Sequence, residues 1–175
     1  MLSKLKELGS KYYDCYFQKD ENGTKLARQN IEKAMAEISI ADQKSLVDKL
    51  EFGSVAVNGQ DPRETTGYGI VRDVFCTNLF GQCVNISATR LTRMQSASAE
   101  SFDPKEYDNA VKQSLVALSK DQFRAFQVVA EKCEPSDELD DNARNRQRYA
   151  MDHVRGLLGE VIRERQANEA EASKE

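Results

Sequence analysis

The chain has 175 residues, a formal net charge of −4, and charged side chains at 31% of its positions. This acidic balance argues against a general nucleic-acid binder, because phosphate backbones are bound by basic surfaces. No apolar run approaches the roughly 18 residues of a membrane span, so we expect none.

Helix-favouring residues dominate the composition, which includes only three prolines. We therefore predict an all-α fold, an irregular bundle of seven to eight helices around a central apolar helix at about residues 69–80. The length predicts a single helical domain over residues 1–166. Residues 167–175 lack apolar anchors, and we expect an exposed, disordered C-terminal tail there.

Leucines and tyrosines at helical spacing predict a first helix over residues 2–18. The C-terminal half of this helix is crowded with aromatic residues, and two interpretations stay open. One places Tyr12, Tyr16 and Phe17 in the core. The other makes Tyr13 and Phe17 part of a partner-binding surface, because tyrosine buries area while keeping a polar tip.

The segment from Asp20 to Gly23 is predicted to form a turn, because Asn-Gly tolerates a tight reversal. Thr24 is then expected to cap a second helix. Ser39 is expected to cap a third, with Asp42 completing a capping box.

Residues 52–68 interrupt the helical pattern with glycines, Asn-Gly and Asp-Pro, which predicts an irregular loop. Long ordered loops often carry function. We therefore predict a possible pocket where this loop enters the central helix, lined by Gly67, Tyr68, Gly69, Arg72 and Asp73. The two charges lie in an apolar stretch, and neighbouring helical side chains diverge, so each is expected to find its own partner. A purely structural tie is the alternative.

Gly81 is predicted to end the central helix, and residues 82–92 suit either a short helix or a strand. A polar connection follows at 95–102. Asp103, with Pro104 after it, and Ser119 are predicted to cap the next two helices. The last helix is expected from about residue 137 to 166. It is long enough to project beyond a compact domain.

Six arginines cluster in this last helix: Arg144, Arg146, Arg148, Arg155, Arg163 and Arg165. The simpler interpretation is a solvated, salt-bridged face, because Asp140–Arg144 and Arg148–Asp152 have i,i+4 spacing. Alternatively, Arg144, Arg148 and Arg155 lie on roughly one side and dock an acidic protein partner. A third interpretation is nucleic-acid binding through the same arginines.

Four cysteines and one histidine form no metal-binding pattern, so we expect no metal and no cofactor. Cys15, Cys76, Cys83 and Cys133 are expected to be buried, reduced thiols. His153 is expected to be a boundary residue on a charged helix. No signal-peptide pattern opens the sequence, so a cytoplasmic location is the default, with secretion by a non-classical route as the alternative.

These patterns contain no nucleophile with a neighbouring base and no phosphate-binding motif. We therefore expect a non-enzymatic protein-interaction module, acting as an adaptor, regulator or effector with a protein partner. The first alternative is an enzyme with its site at the 52–69 loop near Arg72 and Asp73. The second is a nucleic-acid-associated protein using the arginines of the last helix, which the net charge disfavours.

Overall fold

The computed structural model describes residues 1–55, 62–96 and 102–172. These ranges contain seven α-helices and no strand, which confirms the all-α bundle. The helices are α1 (Leu2–Phe17), α2 (Glu21–Ala36), α3 (Ile40–Val55), α4 (Pro62–Ser96), α5 (Pro104–Val116), α6 (Lys120–Lys132) and α7 (Asp141–Ala172).

The chain divides into two compact units, Met1–Leu79 and Phe80–Glu175. Helix α4 continues from one unit into the other. The single domain expected over residues 1–166 stays a prediction.

The central helix is much longer than the sequence pattern predicts. Gly81 does not end it, because α4 runs unbroken to Ser96 and includes all of residues 82–92. A helical glycine costs about 1 kcal/mol relative to alanine. Apolar side chains buried on both sides of Gly81, among them Phe80 and Cys83, offset that cost.

Much of the irregular loop expected at 52–68 is helical, namely residues 52–55 and 62–68. Helix α3 continues to Val55 and α4 already begins at Pro62, a favourable first helical residue. The remaining part of the predicted loop, residues 56–61, lies outside the described residues, as does most of the predicted polar connection at 95–102.

In the first unit, buried side chains from all four helices form the core, including Leu5, Ile31, Met35, Val47 and Phe75. The Ser39 cap is confirmed, since its Oγ accepts a hydrogen bond from the Asp42 N–H at 3.1 Å. The predicted turn at residues 20–23 is wrong. These residues enter α2, because the Asp20 carboxylate accepts from the Gly23 N–H at 2.9 Å and replaces Thr24 as the cap.

Two glycines bring α1 and α4 into close contact within this unit. A Cβ added to Gly9 would lie 2.8 Å from the Gly67 Cα, a separation that real Cβ atoms essentially never show. A glycine therefore stands in mid-helix at position 9 because the two backbones touch there.

Replacing Gly9 with alanine should destabilise the protein by about 1–3 kcal/mol, despite alanine's better helix propensity, because a backbone must shift. The matched control is Gly81→Ala, where an added Cβ meets nothing within 4 Å. That change should stabilise α4 by up to about 1 kcal/mol. Urea denaturation followed by circular dichroism compares them, and a Gly9→Ala protein as stable as Gly81→Ala would contradict the close contact.

In the second unit, α5 and α6 begin as predicted. The Lys105 N–H donates to the Asp103 carboxylate at 2.9 Å, and Ser119 and Gln122 form a complete capping box. Phe80 and Phe126 meet edge to face, with ring centroids 5.9 Å apart. Helix α7 starts at Asp141, four residues later than expected, because the Asp140 carboxylate accepts from the Ala143 N–H. It continues to Ala172, so residues 167–172 are helical and exposed rather than frayed.

Candidate functional site

Four aromatic residues cluster at the C-terminal end of α1: Tyr12, Tyr13, Tyr16 and Phe17. We name them the α1 aromatic cluster. The i,i+4 spacing pairs Tyr12 with Tyr16 and Tyr13 with Phe17, at centroid distances of 6.3 and 4.3 Å. Tyr16 also meets Phe17 edge to face at 5.7 Å. All four rings therefore form one continuous aromatic surface.

This cluster is not part of the core. Tyr16 is 59% exposed and Phe17 is 61% exposed, while Tyr12 and Tyr13 are half-buried. The core interpretation is thus wrong for Tyr16 and Phe17. The fully buried residues of α1 are Leu5 and Gly9, which both lie in the N-terminal half of the helix, ahead of the cluster. The partner-binding role of Tyr13 and Phe17 stays a prediction.

An open groove of about 790 Å³ lies between the end of α1 and the first turns of α2. We name it the α1–α2 groove. Helix α1 contributes Tyr12, Tyr16 and Phe17, and α2 contributes Glu21, Thr24, Lys25 and Arg28, with Lys19 in the connection. Tyr13 packs on Phe17 beside the groove. One side of the groove is therefore aromatic and the other mostly basic.

Lys19 has an unusual backbone conformation, with φ at 57°. It ends α1 in a Schellman motif, in which the Asp20 N–H donates to the Cys15 carbonyl at 2.9 Å and the Lys19 N–H to the Tyr16 carbonyl at 3.2 Å. Glycine is the usual residue at this left-handed position, since a side chain there costs roughly 1 kcal/mol.

Sequence reasoning missed the basic side of this groove, namely Lys19, Lys25 and Arg28. One signal was available. Lysine stands where the chain leaves α1, a place where glycine is expected. The groove itself could not be inferred, because helical periodicity does not determine how the side chains of two paired helices meet.

The pocket predicted at the glycine-rich entry to α4 stays a prediction, because part of the 52–69 loop lies outside the described residues. Gly67 is packed against Gly9, and Tyr68 is buried. Gly69 and Asp73 instead line a small open groove of about 320 Å³, together with Tyr12, Tyr16, Thr66 and Ile70. Of the five predicted residues, the structure brings only Gly69 and Asp73 to this groove.

Arg72 and Asp73 pair with each other, which corrects the expectation that each finds a separate partner. Arg72 Nε and Nη2 donate to Asp73 Oδ1 at 3.2 and 3.1 Å. The long arginine side chain spans the angle between neighbouring helical positions, and its guanidinium lies 5.5 Å from the centre of the Tyr68 ring. The Asp73 side chain is 48% exposed, so this pair is not a buried charge.

Three arginines of α7 bind backbone carbonyls within the second unit. Arg144 donates to Asp137 and Leu139, ahead of its own helix. Arg155 donates to Ala130 and Cys133 at 2.8 and 2.6 Å, at the end of α6. The carbonyl oxygens of Leu115, Val116 and Leu118, at the end of α5, lie within 3.1 Å of Arg165 Nη2.

Arg155 and Arg165 supply donors at the ends of α6 and α5, where the last carbonyls of a helix have no i+4 partner. The predicted arginine surface is therefore divided. Arg144 and Arg155 are engaged with backbone, and Arg155 rather than Arg148 pairs with Asp152, at 2.8 Å. Arg148, like Arg146 and Arg163, is exposed.

His153 joins a polar network that the sequence did not reveal. Its Nδ1 lies 3.1 Å from Ser87 Oγ, and its Nε2 lies 3.3 Å from Asp108 Oδ1. Arg90 Nε lies 2.9 Å from the same carboxylate oxygen. The two groups form an ion pair but not a hydrogen bond, because the N–H does not point at the oxygen. These residues come from α4, α5 and α7.

A serine, a histidine and an aspartate in contact resemble a hydrolytic triad in composition, but a nucleophile must reach its substrate. Ser87 is only 1% exposed. Asp108 is also engaged by Arg90. This network therefore ties three helices of the second unit together.

Burial lowers the pKa of His153 below its usual 6.5, and the nearby Arg90 lowers it further, against the opposing effect of Asp108 and Glu160. The folded protein thus holds a neutral imidazole, and unfolding favours its protonation below about pH 6.5. The stability contributed by His153 should be present above that pH and be lost as the pH falls toward the folded pKa.

The loss in unfolding free energy between about pH 7.5 and 5.5 should be smaller in His153→Asn than in the wild type.

Urea denaturation of both proteins at the two pH values measures this difference. The carboxylates are common to both, so their titration largely cancels in the comparison. An equal or larger loss in His153→Asn would contradict the lowered pKa.

Two of the four cysteines are buried thiols in α4. Cys76 and Cys83 are buried, as predicted, and burial raises the pKa of each to about 12. A thiol with this pKa stays protonated at neutral pH. Cys15 and Cys133 are only half-buried, and burial raises the pKa of Cys133 as well.

Comparison with protein-family models, curated proteins and solved structures finds no match for this chain. Within residues 1–55, 62–96 and 102–172, no three His, Cys, Asp or Glu side chains are grouped as a metal site requires. The helices in the described part of the chain include none long and apolar enough to cross a membrane.

Proposed function

We propose that the protein is a non-enzymatic protein-interaction module, an adaptor, regulator or effector, that binds its partner through the α1 aromatic cluster. The observation that carries this proposal is the exposure of Tyr16 and Phe17, at 59% and 61%, beside an open groove. Large aromatic side chains in contact with water lose apolar hydration when a partner covers them.

The aromatic rings of this cluster suit the centre of an interface. Tyrosine and tryptophan are enriched among interface residues whose truncation costs about 2 kcal/mol or more, and aromatic residues as a group are enriched at interfaces. The rings of the pairs Tyr12–Tyr16 and Tyr13–Phe17 already contact each other before binding. Such prior ordering reduces the entropy lost on association.

Photo-crosslinking tests the proposal directly. The photoreactive amino acid benzoylphenylalanine replaces Phe17 in one protein and Val128 in another, since Val128 is a 46% exposed apolar residue on α6. After irradiation in extract of the source cells, position 17 should give discrete adducts that position 128 does not. The same adducts from both positions, or none from position 17, would rule out this surface.

A further inference from the structure

We infer that the α1–α2 groove binds an acidic segment of a protein partner that also carries a bulky apolar side chain. This inference rests on the proposed function and adds the chemistry of the partner. It follows from three features of the groove: its charge, its aromatic side and the conformation of Lys19.

The groove is locally basic on an acidic chain. Lys19, Lys25 and Arg28 line it, and Glu21 is the one carboxylate among its eight lining residues. Arg28 also pairs with Glu32 at 2.9 Å on the surface, so its charge is partly neutralised and the two lysines matter most. The whole chain carries −4, so this local positive excess is opposite in sign to the net charge. Complementary charge favours an acidic occupant.

The aromatic side adds an apolar requirement. Tyr16 and Phe17 present exposed rings along the groove, next to the half-buried Tyr12. Carboxylates alone would leave these rings in water, whereas an aliphatic or aromatic side chain would cover them. A segment that combines acidic residues with one bulky apolar residue matches both sides.

Lys19 supplies a separate indication. Its left-handed conformation is unfavourable for a side chain, yet lysine rather than glycine occupies the position and lines the groove. Strained residues of this kind cluster at binding sites. Lys19→Gly therefore relaxes the backbone while it removes a cation, so effects on stability and on binding should separate.

A peptide is favoured over nucleic acid. A polyanion approaching this chain meets a net charge of −4, and Glu21 lies within the groove itself. A short protein segment places a few charges locally and avoids most of that repulsion.

The probe for the test is a random peptide library displayed on phage and selected on the full chain. Counter-selection on the Phe17→Ser variant removes peptides that bind elsewhere. We expect the enriched peptides to share acidic residues around a leucine, phenylalanine or similar side chain. Their affinity should fall as salt rises, because the lysines and the peptide charges are exposed.

An enriched peptide is then titrated against matched variants. Lys25→Glu should weaken binding about tenfold, since it places like charges together. Lys19→Gly should weaken it about threefold while the melting temperature stays equal or rises. Lys132→Glu, an exposed charge reversal on α6, should leave affinity unchanged.

Several results would overturn the inference. Enriched peptides that depend on Phe17 but are neutral or basic would leave the proposed function standing and remove the acidic partner. Failure to enrich any Phe17-dependent peptide would also rule out the acidic partner. The proposed function would then be tested separately by photo-crosslinking at position 17. Tighter binding to single-stranded DNA than to peptide, or self-association abolished by Lys25→Glu, would assign the groove to nucleic acid or to a second copy.

Discussion

The free energy of unfolding should fall by about 3–5 kcal/mol when Phe75 is replaced by alanine. Phe75 is fully buried in α4, at 0% exposure, so truncation removes its apolar burial and leaves a cavity in a packed interior. Urea denaturation measures the change. A loss below about 1 kcal/mol would show that Phe75 does not contribute to the core as its burial requires.

Phe17 provides the matched control for this experiment. Phe17→Ala should cost less than about 1 kcal/mol, because the residue is 61% exposed and its ring contacts, with Tyr13 and Tyr16, lie within the exposed cluster. Comparing the two variants distinguishes a phenylalanine that stabilises the fold, Phe75, from one that the fold does not need for stability, Phe17. A large loss in Phe17→Ala would assign the α1 aromatic cluster to stability rather than to binding.

Arg165→Ala should cost about 2–3 kcal/mol, the second large effect. The Nη2 of Arg165 lies within 3.1 Å of three carbonyl oxygens at the end of α5, and its guanidinium lies 4.1 Å from the centre of the Phe123 ring. Truncation leaves those carbonyls without this donor and removes the cation–π contact. Thermal and urea denaturation both measure the loss.

Two neighbouring variants make the interpretation of Arg165 specific. Arg163→Ala removes an exposed arginine two residues away and should cost less than about 0.5 kcal/mol. Arg165→Lys keeps the charge but loses the planar fork and the stacking, so it should recover less than half of the stability. Equal losses of unfolding free energy in Arg163→Ala and Arg165→Ala would show that Arg165 acts only as a surface charge.

Local features of this fold could be predicted from the sequence because their determinants are close along the chain. The caps at Ser39, Asp103 and Ser119 each need only a side chain and an N–H two or three residues away. The apolar pattern around residues 70–80 likewise indicates a buried helix, as Ile70, Val74 and Phe75 show.

Features that depend on distant residues could not be predicted. Arg155 and Arg165 resemble solvated surface residues in the sequence, yet each reaches the end of another helix, up to 50 residues away. Gly81 resembles a helix end, but burial of its neighbours outweighs its weak propensity. Gly9 and Gly67 resemble flexible positions, and only the approach of two backbones explains them.

The candidate site was predicted in part. Phe17 was identified as a surface residue in one of two interpretations, and its exposure favours that one. At the expected pocket, Gly67 packs against Gly9 and Tyr68 is buried, and the pocket itself stays a prediction. The α1–α2 groove depends on how two helices pair, a tertiary property that helical periodicity does not encode.

We propose that the α1 aromatic cluster binds a protein partner. Quantitative affinity capture with the wild-type chain, the Tyr16→Ser/Phe17→Ser variant and the Val128→Ser control tests it most directly. We expect a partner that the wild type and the control recover equally and that the double variant recovers about tenfold less or worse. Equal recovery of every captured protein by all three chains would contradict it.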